Sequence, residues 1–195
     1  MWCHFNRGQS GFTRIAGICG ILLPFVIFTS IGLSIVSSPW FAWTQHALSD
    51  LGIRQNTAIL FNIGIILGGV LALIFSLGLM KLLSNKIGPR ILAFSSCALI
   101  GIGLFPETIF TLHFITSAFF FILLTVALLI IGMTIRQNAF ERCIGACALM
   151  LALIAISSSV FLFHLEGIAI IEALSCFPAF IWCFIVGIKM TRAVV

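Results

Sequence analysis

Four titratable side chains stand at the edges of long apolar stretches. Asp50 follows the first stretch, Glu107 closes the third, His113 opens the fourth, and Glu172 lies about one turn inside the sixth. A carboxyl group withdrawn from water can act as a general acid or base. Three carboxylates with one imidazole also make a donor set suited to Zn, Mn or Fe, which would activate water, and too soft for a typical Mg site. Glu172 stands out on physical grounds. A carboxylate at that depth is expensive and usually faces a bundle interior or cavity. The plainer reading is a protonated or snorkelling carboxyl that packs the bundle.

Other groups point less clearly to chemistry. His46 precedes Asp50 by one helical turn, so the two could share a ligand or bond each other. His164 and Glu166 fall in an outer turn and read as solvated. Cys143 and Cys147 lie four apart, a spacing that could bind a metal but more often marks two small packing residues. No zincin, nucleophile-elbow, Walker or dinucleotide motif is present. Tyrosine is absent, which excludes tyrosine chemistry. The residues leave open whether the chain is an enzyme.

The elements that must position these groups are membrane spans. The chain has 195 residues, 62% hydrophobic and 8% charged, where a soluble domain is about a quarter charged. Six apolar stretches, each near the length a bilayer demands, cover about 13–36, 58–83, 88–104, 112–135, 143–163 and 168–190. They predict an all-α bundle of six transmembrane helices in a single domain, residues 1–195. Pro24 is a candidate kink, and Pro178 is expected to interrupt the sixth span. The first stretch is too long for a signal-peptide core and lacks a cleavage site, so it reads as a retained helix.

Charge sets the expected topology. Nine of the ten Lys and Arg residues fall on one side of the implied membrane, with Arg54 alone on the other. Positive loops stay in the cytoplasm, so both termini are expected inside a cell membrane. The net charge of +5 is thereby accounted for by topology, and no nucleic-acid partner is implied. No cysteine falls in an outer loop, where an oxidising compartment would form disulfides. Four of the five acids and three of the four histidines lie on the outer side, so chemistry is expected there.

The first outer loop, Pro39 to Gly52, predicts a short interfacial helix or one tucked into the bundle mouth. Trp40, Trp43, Ala47 and Leu51 would share one face, and His46, Ser49 and Asp50 another. Gly52 fits a helix end. In the second span, Gly64, Gly68 and Gly69 suit close helix contact. Packing within the monomer is the preferred reading, and a homo-oligomer interface is the alternative. Asn62 needs a hydrogen-bond partner in lipid. Ser157, Ser158 and Ser159 could bond backbone or line a polar cavity.

Ala47-Leu-Ser-Asp-Leu-Gly52, Phe61-Asn-Ile-Gly64, Gly103-Leu-Phe-Pro-Glu107, and His113 followed by Phe119-Phe-Phe121 resemble a family of multi-pass prokaryotic membrane proteins, domain of unknown function 998. The similarity runs from the first span through the sixth. Ala169-Ile-Ile-Glu172 resembles the family's Ala-Ile-Pro-Glu, with Ile171 in place of the proline. The resemblance implies that Asp50, Glu107, His113 and Glu172 are motif positions, and it implies no activity. A shorter likeness, through Ser49-Asp50 and His113-Phe-Ile-Thr-Ser-Ala118, is to the damage-regulated autophagy modulator family and leans toward lipid.

Three functions follow as expectations. The first is a lipid-directed protein, perhaps hydrolysing a lipid ester or amide, with the four residues forming an outer-leaflet polar pocket. The second is a small proton-coupled carrier, opposed by the absence of an inverted repeat and by acids clustered away from the midplane. The third is a non-catalytic scaffold or sensor whose polar cluster ties the outer loops together.

Overall fold

A computed structural model describes residues 7–54, 56–83, 85–134, 139–161 and 167–192. These form six α-helices: α1 Arg7–Val36, α2 Ala58–Leu82, α3 Ile87–Leu104, α4 Phe110–Thr134, α5 Ala139–Phe161 and α6 Ala169–Arg192. Two short 3₁₀ turns, Leu48–Gly52 and Glu107–Ile109, lie between them, and there is no strand among the described residues. Helices answer the physical demand on these runs, because every backbone polar group in lipid must be satisfied within its own segment. All six are long and apolar enough to cross a membrane. The shortest, α3, has 18 residues, roughly 27 Å of helix at 1.5 Å per residue.

Each helix packs on its neighbour in the chain, and α1 closes against α6, so the six form a ring. Leu23, Ile27, Phe75, Leu128, Ile131 and Met190 fill the interior almost without exposure. Around the outside, Phe25, Ile59, Phe94, Phe114, Met150 and Ile181 are exposed. An apolar surface on every side marks a protein solvated by lipid. This is a multi-pass membrane protein.

The glycine stripe of α2 is used inside this ring. A Cβ at Gly64 would run into Ser30 of α1, and one at Gly68 into Ile27. Gly69 faces the other way, where a Cβ would meet Ile100 of α3 at 2.6 Å. Packing within the bundle therefore occupies all three positions.

Two expectations are corrected. Helix α6 runs unbroken from Ala169 to Arg192 with Pro178 inside it. A proline removes one backbone bond, a loss that membrane helices absorb through their neighbours. The helix expected over Pro39–Gly52 is confined to the 3₁₀ turn Leu48–Gly52. Ahead of it the chain makes tight turns, with Phe41 N–H bonded to Ser38 O and Gln45 N–H to Ala42 O. The His46 ring packs edge-on to Trp40, at 5.1 Å between centroids, and stacks on Phe41. It also accepts the Ala42 N–H at 3.1 Å on Nδ1, which diverts that donor from a helical ladder. The two faces assigned to this loop therefore do not form. Arg54 closes the cluster from outside, its guanidinium 4.7 Å from the Trp40 ring centre.

At the opposite end, Lys81 lies over the Phe12 ring, joining the end of α2 to the start of α1. In α5, the Ser158 and Ser159 hydroxyls both return to Ala155 O, the backbone-bonding outcome for those two serines.

Candidate functional site at the mouth of the bundle

The loop-one turn is held from three directions. Thr57, just before α2, donates its hydroxyl to Leu51 O at 2.8 Å. Asn62, one turn into α2, donates to Gly52 O at 2.9 Å, which gives that amide the partner its depth requires. From α6, Glu172 Oε2 accepts the Leu48 N–H at 2.6 Å. A fourth tie is made by backbone alone: Gly167 N–H donates to Thr44 O at 2.8 Å and Ala169 N–H to His46 O at 3.0 Å. Any side chain at Gly167 would collide with the His46 backbone, so only glycine admits this approach.

Asp50 bends back within its own turn and accepts the Ala47 N–H at 2.9 Å. Successive peptide N–H groups thus point at two different carboxylates. A turn exposes unpaired N–H donors at its start, and a carboxylate there gains both the hydrogen bond and a favourable field. Leu48, Ser49, Leu51 and Gly52 are buried, so these bonds are shielded from bulk water.

Glu107, half-buried on the second 3₁₀ turn, brings its carboxyl close to that of Asp50. The Oε2 atom of Glu107 is buried without a protein partner. Glu172 lies within electrostatic reach of both Asp50 and Glu107, and His113 within reach of Glu107.

His113 is buried near the start of α4. Its Nδ1 lies 2.8 Å from Phe105 O, at the end of α3. A carbonyl only accepts, so Nδ1 carries the hydrogen. Nε2 is then turned to the Ser117 hydroxyl, 3.4 Å away. Phe105-Pro106 leads into the short turn that carries Glu107, and His113 bonds across its base. This explains why Glu107 and His113 arrive together.

The four residues singled out in the sequence therefore gather at one end of the bundle, brought by loop one, the α3–α4 connection, α4 and α6. Among the described residues, no group of three or more His, Cys, Asp or Glu is arranged to hold a metal ion. His46 is drawn off by its aromatic neighbours, and His164 and Glu166 lie outside the described residues. Beneath the loop-one turn is a partly enclosed cavity of about 50 Å³. A cavity of this size takes no more than a few waters. Its walls are apolar, including Phe61, Ile102 and Phe180, and its polar groups are Ser49, Ser117 and Glu172. Ser117 was not proposed as a site residue from the sequence, and Ser49 was named only beside Asp50. The one available signal was that Ser117 follows His113 by four residues, one turn of α4.

A family model described as Protein of unknown function (DUF998) matches residues 18–189. No curated protein and no solved structure matches the chain.

Proposed function

We propose that this chain, which belongs to the DUF998 family, binds a membrane lipid by its polar part at the outer end of the helix ring. The observation that carries this reading is the acid–imidazole cluster at the mouth, one member of which, Glu172, lines an apolar cavity. Asp50, Glu107, His113 and Glu172 would face the headgroup. The cavity, at about 50 Å³, takes only the first atoms beyond it, and the rest of the chain stays in the bilayer. Three carboxylates beside one imidazole favour hydroxyl and ammonium donors over a bare phosphate, because like charges repel at close range. The segregation of Lys and Arg supports an outer location for this mouth, a cell-membrane setting and cytoplasmic termini.

Native mass spectrometry of the detergent-purified protein tests the reading. The expected result is one retained amphiphile at near-stoichiometric occupancy. Glu172→Gln and His113→Ala should each weaken retention by about tenfold or more, the scale of a lost charge-assisted hydrogen bond. A wild-type protein that retains no lipid would sink the proposal. Plasma mass spectrometry on the same material shows whether a Zn, Mn or Fe ion accompanies the cluster.

One observation favours a scaffold reading instead. Both Glu172 and Asp50 accept backbone N–H groups of the loop-one turn, so both have a structural duty. Under that reading Glu172→Gln lowers the thermal midpoint and leaves bound lipid unchanged. A carrier would be favoured by a discontinuous helix, and α6 is continuous through Pro178.

A further inference from the structure

We infer that Ser117 and His113 form an acyl-transfer centre, with Ser117 Oγ as nucleophile and His113 Nε2 as its base, acting on the acyl ester of a lipid. The substrate class rests on the lipid reading above, whereas the dyad itself rests on geometry alone.

Membrane-helix hydroxyls usually turn back on their own backbone, and this bundle follows the habit. Ser76, Ser96, Thr125, Ser158 and Ser159 each donate to a carbonyl three or four residues earlier. Ser117 does otherwise, and its hydroxyl is directed at the His113 imidazole. The one-turn spacing places the two side chains on the same helix face. His113 is itself held by a third group, because its Nδ1–H is committed to Phe105 O at 2.8 Å. That bond fixes the tautomer in which Nε2 presents a lone pair to the hydroxyl. Nucleophile, base and orienting acceptor are the recurring parts of an activated serine. The 3.4 Å separation is long for a strong hydrogen bond, as such pairs often are before substrate tightens them. Ser117 also lines the cavity shared with Ser49 and Glu172, so its oxygen has space in which a carbonyl carbon can sit.

In the step, Ser117 Oγ forms a bond to the ester carbonyl carbon while Nε2 takes the hydroxyl proton. The carbonyl π pair moves onto oxygen, for which the Ser49 hydroxyl, lining the same cavity, is the candidate donor. Collapse breaks the bond to the lipid alcohol, which leaves with the proton from the imidazolium. Water then attacks the acyl-Ser117, giving its proton to Nε2, and releases the fatty acid with the serine hydroxyl restored.

The test is labelling of the full chain in detergent with a fluorophosphonate, read by mass spectrometry of the modified peptide. The wild type should carry one adduct, on Ser117. Ser117→Ala should carry none. His113→Asn retains a donor for Phe105 O and lacks the base, so it should label about 100-fold more slowly or less. A wild type that melts cooperatively and does not label overturns the inference, as does equal labelling of His113→Asn. Labelling without retained lipid would sink only the lipid reading, and retained lipid without labelling only this one.

Discussion

Glu172 shows how one side chain at the mouth combines a structural and a chemical position. Its Oε2 closes the Leu48 N–H at 2.6 Å, while the carboxyl also borders the cavity. Glu172→Leu leaves that buried N–H without an acceptor, which should cost about 1–3 kcal/mol. Glu172→Gln keeps a carbonyl oxygen at the same place and should cost less than half as much. Thermal midpoints followed by intrinsic tryptophan fluorescence in detergent check the order, and equal losses would mean that the charge matters more than the acceptor. At this scale the sequence announced needs rather than partners. Asn62 in lipid had to find an acceptor, and an acid one turn inside a span had to face inward. That the acceptor is Gly52 O and the inward neighbours are Asp50 and Glu107 was not legible. A hydrogen-bond requirement belongs to one residue, but its fulfilment depends on another far along the chain.

At the scale of elements, the ring is built on close contacts at small residues. Gly64 and Gly68 face Ser30 and Ile27 across the α1–α2 contact. Gly64→Leu has no space to enter and should destabilise the bundle by about 1–3 kcal/mol, read as a lower thermal midpoint with an unchanged particle size. A change in oligomer size at constant stability would instead assign this stripe to an interface between copies. Helix positions and lengths were readable because a spanning segment is defined by a local run of apolar residues. The loop before α2 was not. The spacing of Trp40, Trp43, Ala47 and Leu51 suggested a helical face, but ring packing of His46 on Trp40 and Phe41 and its bond to Ala42 N–H take the place of helix there. Likewise Pro178 read as a break and is carried within α6, since its neighbours decide whether a missing N–H bends the chain.

For the whole molecule, the separation of charge makes orientation testable. A green fluorescent reporter at the C-terminus should fluoresce in intact cells, and alkaline phosphatase fused after Arg54 should be active; the reverse pattern would move the cluster to the cytoplasmic face. The sequence by itself determined the class of the protein, the six spans and the segregation of basic from acidic ends. These follow from transfer of apolar groups to lipid and from the placement of individual charges, which are sums over local composition. Only the tertiary structure decided that α1 closes on α6 to make a ring, that four segments deliver Asp50, Glu107, His113 and Glu172 to one mouth, and that Ser117 faces an oriented imidazole above an apolar cavity. Those outcomes depend on packing between helices distant in sequence, and no spacing within a single segment encodes the distance between two of them.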